Sequence, residues 1–216
     1  MATLKQIEKK TGVHYTTNHT GKMEGMYSLS TSCTENDYCK RRCNDKDSIC
    51  FHCYSQRQMK RYKNLENCLI KNTEILTKRI LDKDELPIIN ALYFRLESFG
   101  DLNNEKQVIN YFNLCNKNKN VKFALWTKNP WYIESIINYG ITKPKNLNII
   151  YSSYKVNHQD DVVLKSYPFI DKIFSVYDKD FVKKNNININ CGKKKCLLCG
   201  KCYKKSKEKF INEIIK

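Results

Sequence analysis

Residues 121–152, VKFALWTKNPWYIESIINYGITKPKNLNIIYS, contain a strand, a helix and a second strand. The short apolar runs at 121–127 and 147–152 predict two buried strands. The segment between them predicts a helix over 131–139, which Gly140 and Pro144 end. Two strands joined through a helix pair in parallel by a right-handed crossover, so this unit predicts an α/β fold.

The same alternation continues on both sides of this unit. Apolar residues at spacings of three, four and seven predict helices at residues 54–82 and 104–116. Six units, counting the first strand, predict a partial (β/α)6 barrel-like parallel sheet, and an open doubly wound sheet is the alternative. Apolar runs predict the remaining strands at residues 25–31, 87–96 and 171–176, with 187–190 as a candidate short last strand.

The length of 216 residues predicts a single domain, 1–216. We divide it into a cysteine-rich loop at 32–53, an α/β core at 54–190 and a C-terminal cysteine cluster at 191–203. The hydrophobic fraction of 41% excludes the disordered class of protein. Because no apolar run reaches the ~20 residues of a membrane-spanning helix and no signal peptide is apparent, we expect no membrane partner and a cytoplasmic location. The sequence does not predict an oligomeric state.

The formal net charge of +17 favours a nucleic-acid partner. Two other readings compete with this interpretation. The chain is rich in lysine, asparagine and isoleucine throughout, which is also the pattern of a codon bias. Metal-bound thiolates would lower the net charge, because the formal value counts every cysteine as neutral.

Five cysteines lie in the cysteine-rich loop. In a reducing compartment, clustered cysteines bind metals more often than they form disulfides. Cys50 and Cys53, two residues apart in CFHC, are the strongest candidate ligands. Cys33 and Cys39 compete for the remaining places, and Cys43 is the weakest candidate. The loop follows the first predicted strand, which places it at the carboxyl ends of the strands.

The C-terminal cysteine cluster has the spacing C-x4-C-x2-C-x2-C, formed by Cys191, Cys196, Cys199 and Cys202. Four thiolates so close in sequence can converge on one tetrahedral ion or one cubane cluster. The spacing suits a [4Fe–4S] iron–sulfur cluster, with zinc as the alternative, and does not decide between them.

The other cysteines and the ends of the strands carry weaker signals. Cys68 and Cys115 lie on apolar helix faces, which favours packing in the core. Polar side chains follow four predicted strands, and sites of parallel α/β proteins form at these carboxyl ends. These side chains are Glu97, Ser98, Asp101, Thr127, Lys128, Ser152, Ser153, Tyr177 and Asp178.

Five segments stand out along the chain: CFHCYS (50–55), which ends the early cysteine loop, YFRLESFGDL (93–102), FALWTKNPW (123–131), NLNIIYSS (146–153) and CGKKKCLLCGKCY (191–203). They match, in the same order, segments of the phage family called gene product 88, and residues 25–203 resemble that family. This resemblance implies no specific activity. If the protein is encoded by a phage, its cytoplasm is that of the host.

A more distant resemblance is to radical S-adenosylmethionine (SAM) enzymes of phage type. It implies a three-cysteine [4Fe–4S] cluster in the early loop, with SAM as a small-molecule cofactor on the open iron. Only the last CxxC, Cys50 and Cys53, matches the usual CxxxCxxC. Glu97 and Ser98 then lie where such enzymes bind the amino group of SAM, and the C-terminal cysteines would hold an auxiliary cluster.

Three hypotheses follow from these features. The first is an iron–sulfur protein with a radical-SAM-like barrel, an enzyme acting on nucleotide, nucleic acid or peptide. The second is a zinc-stapled, basic protein that binds nucleic acid without catalysis. The third is a host-interaction protein whose metals are structural.

Overall fold

The computed structural model of the chain describes residues 3–215, and these residues form an α/β fold. Its strands are β1 Tyr27–Leu29, β2 Tyr93–Leu96, β3 Lys122–Thr127, β4 Leu147–Ser152, β5 Lys172–Tyr177 and β6 Phe210–Ile214. Its α-helices are α1 Leu4–Thr11, α2 Asp37–Arg42, α3 Tyr54–Arg61, α4 Lys63–Lys78, α5 Glu105–Lys117, α6 Trp131–Asn138, α7 Val163–Ser166, α8 Lys179–Asn185 and α9 Cys196–Cys199.

The six strands form one sheet in the order β1-β2-β3-β4-β5-β6, and every neighbouring pair is parallel. Each strand therefore lies beside its neighbours in the chain, as in a barrel. Within the described residues β1 and β6 do not pair, so the sheet stays open as a partial barrel. The doubly wound alternative is wrong, because the strand order never reverses.

Alternate residues of each strand pack on opposite faces of the sheet. Phe94 and Phe123 belong to the main core, which the helices cover. Their neighbours Tyr93 and Ala124 belong to a smaller cluster on the other face, here called the inner face. Both faces are thus buried, which explains the nearly continuous apolar runs that predicted the strands.

The segment that follows the last cysteines covers part of the inner face. The Tyr203 ring stacks on Tyr93, with 4.8 Å between ring centroids. Asn148 Nδ2 donates to the Cys202 carbonyl over 3.0 Å. Lys172 Nζ donates over 2.8 Å to both Ser206 Oγ and the Glu208 carbonyl. Because Tyr93, Asn148 and Lys172 lie at or near the starts of their strands, this segment is anchored toward the amino ends.

The helix predicted over 54–82 is wrong in one respect, since the chain forms two helices with Tyr62 between them in an extended conformation. Met59 of α3 and Leu69 of α4 both pack with Cys33 in one buried cluster. In a straight helix these two positions would lie about 15 Å apart along the axis. The break at Tyr62 allows both side chains to reach Cys33.

The candidate last strand at 187–190 is also wrong, because the sixth strand is β6, after the last cysteines. Asn190 instead bonds to the edge of β6: its side-chain amide donates to the Phe210 carbonyl, and its Oδ1 accepts from the Asn212 N–H. Phe210 and Ile211 supply the apolar side chains that pack in the sheet. No helix within residues 3–215 has the length and apolar character needed to cross a bilayer.

A buried polar network around Glu97 joins the ends of β1 and β2. The Glu97 carboxylate accepts from the Thr31 N–H over 3.2 Å, from Gln107 Nε2 over 2.7 Å and from the Tyr111 hydroxyl. Its backbone is in the left-handed region, with φ of 57°. Burial raises the pKa of Glu97 to about 8, against the opposing effect of these hydrogen bonds.

The raised pKa predicts a pH-dependent stability. The unfolded chain loses the Glu97 proton near pH 4.5, whereas the folded chain keeps it up to about pH 8. The stabilising contribution is therefore present below pH 4.5 and is lost as the pH rises to about 8. Relative to Glu97→Gln, which does not titrate, the wild-type free energy of unfolding should fall by about 3 kcal/mol between pH 4.5 and 7. Urea denaturation followed by circular dichroism measures this difference, and parallel pH profiles would contradict it.

Gly100 gives a second prediction, for the place where the segments that follow β1 and β2 pack together, here called the β1–β2 junction. Its φ is 71°, and an added Cβ would lie 2.5 Å from the Thr31 carbonyl oxygen. Gly140 is the matched control, because its φ is 88° and an added Cβ would meet nothing within 4 Å. In both alanine variants the left-handed backbone should lower the free energy of unfolding by about 1–2 kcal/mol. Only in Gly100→Ala should a steric clash lower it by about 1–3 kcal/mol more. Equal losses of unfolding free energy would show that the β1–β2 junction is not close-packed.

Candidate metal centres

The polar ends of the strands meet at one edge of the sheet, here called the rim. Asp101 Oδ1 accepts from the Thr127 hydroxyl over 2.5 Å, and Oδ2 accepts from the Lys128 N–H over 2.9 Å. Lys128 Nζ then donates to Ser152 Oγ over 3.0 Å. The prediction that these strand ends lie together is confirmed, and the rim is a connected polar surface.

The cysteine-rich loop is fastened to this rim. Asn36 Nδ2 donates to the carbonyl oxygens of Asp101 and Leu102 over 3.0 and 3.1 Å. At its other end, the Ile49 N–H donates to the Tyr154 carbonyl over 2.9 Å. The loop therefore lies over the carboxyl ends of β2 to β4, as its place after β1 predicts.

Each cysteine of this loop has a defined place in the local structure. Cys33 lies in the buried segment after β1, and Cys39 is on α2, where Asn36 caps the helix by accepting the Cys39 N–H. Cys50 is in a short 3-10 helix, Ile49–His52, which Ser48 caps. Cys53 is the residue that precedes α3.

Cys33, whose Sγ donates over 3.4 Å to Met59 Sδ, lies near enough to Cys53 for the two thiols to change each other's ionisation. Their mutual hydrogen bond lowers the pKa of Cys53, and the N–H groups of Gln56 and Ser55 at the start of α3 lower it further. The same hydrogen bond, together with burial, raises the pKa of Cys33. This pair therefore holds its negative charge on Cys53, because a helix N-terminus stabilises a thiolate.

Cys39, Cys50 and Cys53 all lie near enough to the Lys128 ammonium for their charges to act on it. Burial, then the charges of Asp101 and Cys50, raises the pKa of the Cys39 thiol. Burial lowers the pKa of Lys128, but the nearby Cys50, Asp101, Cys39 and Cys53 outweigh burial and leave it raised. The structure therefore brings together both residues that compete for the third ligand position.

Cys43 lies apart from the other cysteines of the loop. Its thiol donates to the Lys40 carbonyl over 3.1 Å. Cys43 and Cys33 do line one cavity of about 260 Å³, together with Met59 and Glu66. Cys43 thus borders the N-terminal group without contacting its other thiols.

The four C-terminal cysteines line a second cavity, of about 310 Å³. Burial raises the pKa of Cys191 to about 11 and that of Cys202 to about 12. Lys22 Nζ lies 3.9 Å from Cys191 Sγ, and it also pairs with Glu213 over 2.6 Å. The walls of the cavity therefore combine four thiols with a partly buried cation.

Arg95 is a cation that the sequence analysis missed. Its guanidinium lies 3.9 Å from the centre of the Trp126 ring, and its Nε is buried without a hydrogen-bond partner. The charge of Arg95 opposes the effect of burial on the pKa of Cys196 and of Cys202. The signal in the sequence was a charged residue inside the apolar strand YFRL.

Neither group is closed around a single ion. Within residues 3–215, no three or more histidine, cysteine, aspartate or glutamate side chains are placed to hold a metal ion. Four sulfurs bound to one zinc would lie about 3.8 Å from one another, from the Zn–S distance of about 2.3 Å. The C-terminal thiols surround a cavity instead. In donor type and number they fit a polynuclear cluster, which needs more widely separated thiolates.

The predicted SAM contacts, Glu97 and Ser98, are both buried at the end of β2. The Glu97 carboxylate is engaged by the internal donors described above. The Ser98 carbonyl accepts from the Tyr54 hydroxyl, and the Ser98 N–H donates to Ser30 Oγ over 2.9 Å. A ligand would have to displace these internal partners of Glu97, and the contact with SAM stays a prediction.

The remaining cysteines lie outside both groups. Cys115 is fully buried in the main core, so its predicted packing role is confirmed. Cys68 is half-buried on α4, where burial raises the pKa of its thiol. Comparison with known proteins gives no assignment: no protein-family model, no curated protein and no solved structure matches this chain.

Proposed function

We propose that this protein binds iron–sulfur clusters at its two cysteine groups and that the N-terminal group is the reactive one. The observation that carries the proposal is the cavity of about 310 Å³ lined by all four C-terminal cysteines. A cubane has the size to occupy such a space while bonding to thiolates on its walls.

The distribution of the thiols favours a cluster over zinc. A structural zinc site closes four sulfurs on one point. Within residues 3–215, no three or more ligand side chains are placed to hold one ion, and the four C-terminal cysteines line a cavity instead. The zinc alternative would require the side chains to move inward.

The N-terminal group has the features of an accessible centre. It lies at the rim, where parallel α/β proteins bind substrates. Cys33, Cys50 and Cys53 are sufficient for three-thiolate ligation, and Cys39 is a fourth donor on α2. A cluster held by three thiolates leaves one iron open, and that iron supplies binding or redox chemistry to a ligand at the rim.

Two cations of the chain would act on these clusters. Lys128 at the N-terminal group and Arg95 at the C-terminal group carry positive charge beside the thiols. Positive charge stabilises the thiolate form that binds metal. Arg95 Nε is buried without a hydrogen-bond partner, so this cation retains an unused donor.

The resemblance to radical SAM enzymes fits this arrangement in the position of the early cysteines and in the barrel-like sheet. We extend the proposal to SAM as the ligand of the open iron. The reaction and its substrate are not assigned. The role of this chain's residues is to bind the cluster, to bury it and to hold a cation beside it.

Anaerobic purification with metal and sulfide analysis tests the proposal. We expect a brown protein with broad absorbance near ~400 nm and about eight iron atoms per chain, four for each cluster. Cys50→Ser with Cys53→Ser should leave about four irons, and Cys196→Ser with Cys199→Ser should also leave about four. Cys68→Ser is the matched control and should keep all of them.

Two results would overturn the proposal. The first is a colourless protein with stoichiometric zinc after anaerobic reconstitution with iron and sulfide. The second is a Cys68→Ser variant that loses as much iron as either double variant. Circular dichroism of each variant separates loss of the cluster from loss of the fold.

A further inference from the structure

The segment around the C-terminal cysteines carries a dense positive charge. Residues 191–209 include eight lysines and one acidic residue, Glu208. Two of the lysines form ion pairs, Lys195 with Glu24 and Lys201 with Glu208. The other six are exposed and form no ion pair within residues 3–215. These six define the lysine-rich surface: Lys193, Lys194, Lys204, Lys205, Lys207 and Lys209.

The nearby carboxylates are already engaged by other groups. Glu208 accepts from Lys201 Nζ and from Asn190 Nδ2, both over 2.8 Å. Glu213 pairs with Lys22. The positive charge of the lysine-rich surface is therefore not neutralised by these two acids.

The lysines are also crowded by other cations. Burial and the charges of Lys205 and Lys209 lower the pKa of Lys143, although its partner Asp171 acts in the opposite direction. Burial, together with the charge of Lys209, also lowers the pKa of Lys172. Such like-charge crowding is unfavourable in the isolated chain, and a bound polyanion would relieve it.

The backbone that carries these lysines is fixed to the sheet. The carbonyls of Cys202 and Lys204 accept from Asn148, and Ser206 and the Glu208 carbonyl accept from Lys172. The part of the lysine-rich surface from Lys204 to Lys209 is therefore presented in a defined shape. Fewer degrees of freedom are lost on binding when a surface is already ordered.

We propose that the lysine-rich surface binds the phosphate backbone of nucleic acid, without reading its sequence. Lysine ammonium groups bind phosphates as point charges. A duplex offers one charge per about 1.7 Å of its axis, so several lysines can be neutralised together. This inference does not depend on which metal the cysteines hold.

Other polyanions fit this surface less well. A basic segment binds an anionic membrane surface by charge, and strong binding adds an apolar face beside the charges. Here α9 has only four residues, and Leu198, which is 76% exposed, is its one strongly protruding apolar side chain. We therefore assign the surface to nucleic acid and make a membrane an outcome of the test.

Fluorescence anisotropy with a labelled 20-base-pair duplex and the matching single strand tests the proposal on the full-length, metal-loaded protein. Affinity should fall steeply between 50 and 200 mM salt. Replacing Lys193, Lys194, Lys204 and Lys205 by alanine should make the slope of log K against log salt shallower by about three to four for the duplex. The affinity at 100 mM salt should fall at least about tenfold.

The control variant removes four other exposed lysines, Lys5, Lys9, Lys46 and Lys155, on α1 and in loops at the rim. The two variants have the same net charge. If only the first variant loses affinity for nucleic acid, the loss is due to the lysine-rich surface and not to the overall charge. Metal content is measured for both, which separates a failure of this proposal from a failure of cluster binding.

Three results would overturn the assignment. One is the absence of duplex and single-strand binding at 50 mM salt. Another is an equal loss of affinity in the two variants. The third is preferential binding of phosphatidylserine vesicles, lost in the first variant while its nucleic-acid affinity is unchanged.

Discussion

Asp101 holds together the parts from which the N-terminal centre is built. Its carboxylate accepts from Thr127 and Lys128 at the end of β3, and its carbonyl accepts from Asn36 of the cysteine-rich loop. One buried residue after β2 therefore fixes the next strand end and the loop above it. Without these bonds, neither the thiol of Cys39 nor the ammonium of Lys128 would have a fixed place.

The parallel sheet separates the two cysteine groups. Because consecutive strands are neighbours, all the carboxyl ends meet at the rim, where the N-terminal group lies. The C-terminal group comes before β6 in the chain, and its last residues cross the inner face toward the amino ends. Tyr203, stacked on Tyr93, seals that side. The strand order thus places one cysteine group at the rim and the other on the inner face.

Much of the fold could be predicted from local patterns, because β3 and β4 each bury an apolar run and α6 buries Ile133 and Ile136 at helical spacing. The break at Tyr62 could not, since it depends on Met59 and Leu69 both reaching Cys33. The spacing of the cysteines named the ligand candidates but could not choose between Cys33 and Cys39. The structure brings both near Cys53, because Asn36 holds α2 to the rim through Asp101 and Leu102, a long-range contact. Arg95 escaped notice because its neighbours are apolar.

The positive charges of this chain fall into two kinds with different partners. Lys128 and Arg95 lie close to thiols, where a buried cation needs an anion and a thiolate can supply one. Within residues 3–215, the six lysines of the lysine-rich surface form no ion pair, and the nearby Glu208 and Glu213 pair with Lys201 and Lys22. A metal centre at the cysteines would interact with Lys128 and Arg95, and it would not neutralise the exposed lysines. Under the two proposals, these two kinds of positive charge serve two different anions, one inside the fold and one outside it.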